Sequence, residues 1–164
     1  MIKKIALLFV AALMYTTTQA QENPTVFSEK ALNDTFITLD GDSVSFQSIL
    51  EKHQGKMLFI EVWASWCSDC IKGMPKVKEL QKEYEAIDFV FLSLDKSIES
   101  WKKGIDKYEV KGEHYFMQSG WKGDFGTFLK LDWIPRYMVV DEKGNIKIYK
   151  AIKADDTNLK SVLK

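Results

Sequence analysis

Cys67 and Cys70, the two cysteines of the chain, lie in the stretch WASWCSDC at residues 63–70. A thiol pair with this spacing can be a structural cross-link, part of a metal site or a redox centre. A structural disulfide here would close a very short loop, which brings the smallest entropic stabilisation. A structural zinc site needs four protein ligands, and His53 and His114 have no paired ligand spacing. Redox chemistry is therefore favoured, and copper delivery by both cysteines and a distant histidine is a further alternative.

The residues around the pair predict a strand that ends before it and a helix that begins at it. The apolar run KMLFIEVWA (56–64) is typical of a buried central strand. Apolar residues then recur at helical spacing over residues 68–85, and Pro75 inside this helix predicts a kink. Free N–H groups and the positive dipole end of a helix N-terminus favour a thiolate. We therefore expect Cys67 to be the more exposed thiol and the nucleophile, and Cys70 to be the resolving thiol.

Short strands and helices alternate along the rest of the chain. Strands are predicted as a hairpin in TFITLDGDSVSF (35–46), singly at 88–95 and 114–117, and as a second hairpin in RYMVVDEKGNIKIYK (136–150). Helices are predicted at 46–53, 97–109, 123–131 and 155–163. Strands that alternate with helices imply parallel pairing through crossovers, and the second hairpin adds antiparallel strands. The pattern indicates an α/β fold with a mixed central sheet and an N-terminal β-hairpin.

Composition indicates an ordinary globular protein. The chain has 164 residues, of which 46% are hydrophobic and 28% charged, enough for one domain with a substantial core. The formal net charge is zero. Because a nucleic-acid binder needs a basic face, we expect no nucleic-acid partner.

The first twenty residues have the pattern of a bacterial export signal. MIKK supplies a positive start, IALLFVAALM is an apolar segment too short to span a bilayer, and TTTQA offers a cleavage site after Ala20. The predicted organisation is a signal peptide at 1–20, a flexible segment at 21–30 and the folded domain at 31–164. We expect a periplasmic protein, in a compartment that permits disulfides. An uncleaved membrane anchor is the alternative.

Three sequence elements together resemble the thioredoxin superfamily, and most of all its TlpA/ResA-like group of exported thiol–disulfide oxidoreductases. They are VWASWCSDC, the proline five residues after Cys70, and WIPRYMVVDEKGNI. Each element alone is weak evidence, but the set is specific, and the resemblance covers roughly residues 30–164. It implies a thioredoxin-like three-layer sandwich with a redox-active disulfide. It implies no bound organic cofactor and no metal.

The resemblance also implies roles for individual residues. Pro135 matches the family's cis-proline beside the disulfide, which presents the backbone of Ile134 to an extended substrate segment. An ordinary loop proline is the alternative. Trp66 matches the aromatic residue that covers one side of the site. Glu61 matches a buried acid with a raised pKa that takes the proton of Cys70; its alternative is an ion pair with a lysine at a strand edge.

The sequence departs from the family pattern at several positions. Ser68 and Asp69 stand between the cysteines in place of Gly-Pro, and the charge of Asp69 is expected to disfavour the thiolate and make the pair more reducing. Alternatively, Asp69 simply suits the first turn of a helix. Gly73 replaces a glutamate common in ResA-like proteins, which weakens the case for a role in cytochrome c maturation. Arg136 either selects acidic substrates or is solvated, and the long stretch 96–131 is expected to shape partner choice.

The expected activity is disulfide exchange with exported proteins. Cys67 attacks a substrate disulfide, and Cys70 releases the product with Glu61 as general base. We expect a monomeric reductase that acts on the thiols or disulfides of exported proteins and is recharged by a membrane-bound electron donor. The alternatives are a disulfide oxidase or isomerase, and a non-catalytic binding module with the same fold.

Overall fold

A seven-stranded mixed β-sheet organises residues 23–163, the part of the chain that this computed structural model describes. The strands are β1 (Thr35–Ile37), β2 (Ser43–Ser45), β3 (Leu58–Trp63), β4 (Asp88–Ser93), β5 (Glu113–Phe116), β6 (Arg136–Val140) and β7 (Ile146–Ala151). Their order across the sheet is β2-β1-β5-β4-β3-β6-β7. Strands β3, β4 and β5 pair in parallel, and the remaining pairs are antiparallel. Both predicted hairpins and the predicted mixed sheet are confirmed.

Six α-helices connect or cover these strands. They are α1 (Glu29–Asn33), α2 (Phe46–Lys52), α3 (Ser68–Glu83), α4 (Ile98–Tyr108), α5 (Asp124–Phe128) and α6 (Thr157–Val162). Helices α1, α2 and α4 each follow a serine whose hydroxyl accepts a hydrogen bond from the backbone N–H three residues later. Within residues 23–163, none of the helices has the length and apolar character needed to cross a membrane.

The central strand β3 positions the cysteines. All six of its residues are buried, which requires cover on both faces of the sheet and gives the layered α/β arrangement predicted from the sequence. Strand β3 is an interior strand between β4 and β6, so its carboxyl end has a neighbouring strand on each side. The chain leaves this end at Trp63 and enters α3 at Ser68. A thiol in that connection is held by rigid elements on both sides.

The chain joins the packed structure earlier than predicted. The carbonyl of Thr25 accepts a hydrogen bond of 2.8 Å from the backbone N–H of Ile146. The ring of Phe27 is buried, with its centroid 4.9 Å from that of Phe46 and 5.4 Å from that of Phe128. The prediction of a flexible segment up to residue 30 is therefore corrected from Thr25 onward, because an aromatic cluster formed by distant elements binds Phe27. The predicted signal peptide at 1–20 lies outside the described residues.

Asp34, directly after α1, joins the N-terminal part of the domain to the segment before α5. Its buried carboxylate accepts hydrogen bonds of 2.8 Å from the hydroxyl of Ser119 and from the backbone N–H groups of Thr35 and Phe125. Hydrogen bonds to a charged partner are stronger than neutral ones, and buried donors left without a partner are costly. Asp34 is therefore expected to stabilise the domain strongly.

Asp34→Ala is expected to lower the free energy of unfolding by about 2–4 kcal/mol, because it leaves the N–H of Phe125 and the hydroxyl of Ser119 without their partner. Urea denaturation followed by circular dichroism measures this loss. Asp40→Ala, at an exposed position of the β1–β2 turn, is the control and should change stability by less than about 0.5 kcal/mol. Equal effects of the two substitutions would contradict the assigned role of Asp34.

Candidate active site

Cys67 and Cys70 form a disulfide at the start of α3. Cys67 occupies the N-cap position, and its sulfur lies 3.1 Å from the backbone nitrogen of Cys70. Cys67 is 6% exposed and Cys70 is completely buried. The predicted order of exposure is confirmed, so an incoming group reaches Cys67 first. The free N–H groups of the helix start favour negative charge on its sulfur.

A carboxylate at the end of β4 holds the loop that leads to Cys67. Asp95 accepts hydrogen bonds from the backbone N–H of Ser65, from its hydroxyl at 2.6 Å and from the hydroxyl of Ser93 at 2.9 Å. Helix α4 packs tightly on the same loop at Gly104, where a Cβ atom would lie 2.4 Å from that of Ser65. Asp95 was not identified from the sequence. The sequence feature that could have identified it is an acidic residue directly after β4, the strand that runs parallel to β3.

The Ile134–Pro135 peptide bond is cis, as the resemblance implied. The carbonyl oxygen of Ile134 lies 3.5 Å from the sulfur of Cys67. The pairing of β6 with β3 begins only at Arg136, so Ile134 lies ahead of the ladder. The backbone of Ile134 therefore lies beside Cys67 without a partner in this strand pairing.

Arg136 is neither solvated nor free to contact an acidic substrate. Its side chain is buried, and its guanidinium donates hydrogen bonds of 2.8 Å to Asp132 and 2.9 Å to the carbonyl of Pro135. Lys150, 3.0 Å away, and Arg136 together lower the pKa of the Asp132 carboxyl to about 2. The predicted contact of Arg136 with substrate is corrected: strand β6 places the side chain inside the domain, where it fixes the loop that bears Pro135.

An open groove of about 410 Å³ adjoins Cys67. Its lining includes Trp66, Cys67, Trp121, Asp132, Trp133 and Ile134. Trp66 is 50% exposed and Trp133 is 60% exposed, which leaves large aromatic surfaces beside the sulfur. Trp66 thus borders the groove beside Cys67, and its role toward substrate stays a prediction. Trp121 and Trp133 were not identified from the sequence, because only the folded chain brings the segments before α5 and β6 to the cysteines.

Glu61 is fully buried in the middle of β3, directly opposite Tyr137 of β6. Burial raises the pKa of its carboxyl to about 8. The phenol of Tyr137 opposes this rise, although the two groups do not meet in a hydrogen bond of standard geometry. The alternative of a lysine partner at a strand edge is wrong, because β3 is central and within residues 23–163 Glu61 forms no ion pair.

Glu61 and Tyr137 lie on the sheet face that the start of α3 covers. Opposite residues of an antiparallel pair project to the same face. The hydroxyl of Tyr137 lies 2.9 Å from the position of a Cβ atom at Gly73, which follows Cys70 by about one helical turn. The buried acid therefore lies beneath the same part of α3 that carries Cys70.

The two histidines pack in the interior. His53 is bound to Asp88 at 2.8 Å, at the amino end of β4. His114 stacks on Phe91, and burial lowers the pKa of its ring. Among the described residues, no three His, Cys, Asp or Glu side chains are grouped so that they could hold a metal ion.

Comparison with known families identifies this architecture. A family profile described as thioredoxin-like matches residues 55–146, a stretch that contains the cysteine pair and Pro135. The chain belongs to the thioredoxin-like family. In this thioredoxin-like protein the predicted fold is thus confirmed, with α1, β1, β2 and α2 lying ahead of the matched stretch.

Relatives and solved structures agree with this assignment. Thioredoxin-like protein YneN of Bacillus subtilis is 27% identical over 138 residues, which cover 82% of this chain and 76% of the relative. Thiol-disulfide oxidoreductase ResA of Bacillus thuringiensis is 26% identical over 161 residues, which cover 93% and 86%. The solution structure of a thiol-disulfide oxidoreductase from Bacteroides vulgatus has 30% identity and a TM-score of 0.65, covering 79% of this chain and 83% of the other.

This thioredoxin-like protein is therefore a thiol–disulfide oxidoreductase with Cys67 and Cys70 as its cysteine pair. The resemblance to the ResA-like group that the sequence motifs indicated is confirmed.

Proposed function

We propose that this protein is an exported reductase that opens disulfides in other exported proteins. The observation that carries the proposal is the position of the Cys67 sulfur, at a helix N-terminus, 3.5 Å from the Ile134 carbonyl and beside the tryptophan-lined groove. Such a site accepts an extended, cysteine-bearing segment and stabilises a thiolate next to it.

The reaction proceeds in two exchanges. The thiolate of Cys67 attacks one sulfur of the substrate disulfide, a bond forms between them, and the other substrate sulfur leaves as a thiolate. Glu61 then takes the proton of Cys70, whose thiolate attacks Cys67 and displaces the second substrate sulfur. Two electrons pass to the substrate, and the protein is left with the Cys67–Cys70 disulfide. A membrane-bound donor restores the two thiols.

One feature each supports export, the direction of the reaction and the choice of partner. Residues 1–20 have the pattern of a signal peptide, and an exported protein can keep the disulfide. The carboxylate of Asp69 lies between the cysteines on the exposed first turn of α3, where negative charge disfavours a thiolate and stabilises the disulfide. Segment 96–131 brings Trp121 to the groove and so takes part in partner choice.

A redox titration tests the function. The mature protein, equilibrated in glutathione or dithiothreitol redox buffers and followed by tryptophan fluorescence, to which Trp66 beside the disulfide contributes, should show a reversible two-electron couple at about −250 mV or below. A couple near about −120 mV would instead assign the protein to the oxidases. The absence of any couple would overturn disulfide exchange and favour a binding module.

A further inference from the structure

We infer that the hydroxyl of Tyr137 passes protons between the Glu61 carboxyl and the open cleft beside Gly73. The inference rests on the proposed role of Glu61 as general base, and it adds a positioning residue that links this base to solvent.

Three buried oxygens carry the inference. Both carboxyl oxygens of Glu61 and the hydroxyl of Tyr137 lack a hydrogen-bond partner within the part of the chain that the structure describes. Buried polar groups are nearly always paired, and an exception calls for a functional or structural reason. Because the two residues lie directly opposite each other in β3 and β6, each is the partner that the other requires.

Tyr137 borders an open cleft on the protein surface, whereas Glu61 does not. An open cleft of about 460 Å³ is bordered by Gly73, Lys76, Tyr137, Ala154 and Asp155. The tyrosine hydroxyl lies behind Gly73, 2.9 Å from where a Cβ atom would be, so the absence of a side chain at this position leaves room for it. The phenol, itself buried, therefore lies between the buried acid and the wall of the cleft at Gly73.

Burial and nearby carboxylates keep the phenol of Tyr137 neutral, although most of the charged groups that border the cleft are cations. These charged groups are Asp69, Lys72 and Lys76 from α3, Arg136 from β6, and Lys153 and Asp155 from the segment after β7. Burial, the charge of Glu61 and the charge of Asp155 all raise the pKa of the Tyr137 hydroxyl. A neutral phenol is a suitable relay because it accepts a proton on one side while it donates its own on the other.

The relay step is a proton transfer without electron transfer. After Glu61 has taken the proton of Cys70, its carboxyl donates that proton to the oxygen of Tyr137. Because the hydroxyl is buried, a water molecule must enter from the cleft beside Gly73; the phenol releases its original proton to this water, and Glu61 is again a carboxylate. Apart from Tyr137, no described residue is a hydrogen-bond partner that could receive the proton from Glu61.

Single-turnover kinetics with a symmetric nitroaromatic disulfide test the relay. The first coloured thiolate released reports the attack by Cys67, and the second reports the resolution by Cys70. Tyr137→Phe should slow the second release about tenfold and leave the first within about twofold, whereas Glu61→Gln should slow the second about a hundredfold. Tyr115→Phe is the matched control, since it removes a phenol bonded to the carboxylate of Glu113, and should change neither rate.

A second variant and a second readout separate a proton path from a packing defect. Gly73→Ala places a methyl group against the Tyr137 hydroxyl and should also slow the second release. Combined with Tyr137→Phe it should add nothing further, because both changes remove the same path. In the oxidised protein, carbon-13 NMR should show the pKa of Glu61 raised further by Tyr137→Phe, because the phenol lowers it.

The outcomes distinguish the inference from the function on which it rests. If Glu61→Gln slows the second release and Tyr137→Phe does not, the relay is wrong and the base role stands. If Glu61→Gln has no effect, both roles of this buried pair fail, although exchange by the cysteines continues. If the wild-type protein never releases the second thiolate, the proposed reductase mechanism itself fails. Should Tyr137→Phe not fold, the two rates of Gly73→Ala decide the question.

Discussion

Cys67→Ser is expected to abolish disulfide exchange, a loss of at least ~10³-fold, whereas Cys70→Ser should attack a substrate disulfide once and remain covalently bound to it. The reason is the difference in their surroundings. Cys67 lies at the surface of the groove and next to the Ile134 carbonyl, while Cys70 is buried one turn further into α3. A substrate thus meets Cys67, and only Cys70 is placed to release it. Reduction of a disulfide-bonded peptide followed by mass spectrometry measures both results.

The two cysteine variants control for each other. Both remove the same disulfide, so a loss of stability from that cause affects them equally. A difference between them in trapping therefore reports position and not folding. A covalent adduct on Cys67→Ser, or repeated turnover by Cys70→Ser, would reverse the assignment of nucleophile and resolving thiol.

Glu61→Gln is expected to remove a pH dependence of stability that the wild-type protein has. The pKa of Glu61 is about 8 in the folded protein, against an ordinary value of 4.5, so between these values the folded state binds more protons than the unfolded state. The free energy of unfolding therefore falls as pH rises from about 4.5 to 8, by roughly 1.4 kcal/mol per pH unit at most. Glutamine does not titrate, so this fall should be absent in the variant. Urea denaturation at pH 5 and pH 8.5 measures it.

The same substitution should change the pH dependence of the Cys70 step. A general base acts as its carboxylate, so the wild-type rate should rise as pH passes through about 8, and Glu61→Gln should lack this rise. Glu85→Gln, at an exposed position after α3, is the control and should behave like the wild type in both experiments. A wild-type stability that is constant over this pH range would show that Glu61 does not titrate as its burial requires.

Much of this protein could be predicted from local sequence patterns. The apolar run that became β3 and the periodic run that became α3 are long and unambiguous, and the cysteines lie at their junction. The placement of Cys67 at a helix N-terminus follows from that junction alone. Weaker local signals failed: α1 is only five residues long, and the sequence around it reads as an irregular segment. Its stability comes from Phe27 and Asp34, whose partners lie about 90 residues further along the chain.

Arg136 shows how the fold can overrule an interpretation based on residue type. An arginine after the proline suggests a contact with substrate or solvent, because a cation is normally exposed. The strand register instead points it inward, where Asp132 compensates its charge and Asp132 and the Pro135 carbonyl each accept a hydrogen bond from one of its terminal nitrogens. Neither the register nor this pairing is visible in the sequence around residue 136.

By itself, the sequence determined the cysteine pair, the strand and helix that hold it, the presence of one ionisable residue in the central strand, and the proline that precedes β6. These features depend on the chemistry of neighbouring residues and on periodicity, which are local. Only the tertiary structure decided that Glu61 lies opposite Tyr137, that the phenol fills the space at Gly73, and that Trp121 and Trp133 border the cysteine site. These arrangements depend on the register between distant strands and on close packing of α3 over the sheet, which the whole chain sets together.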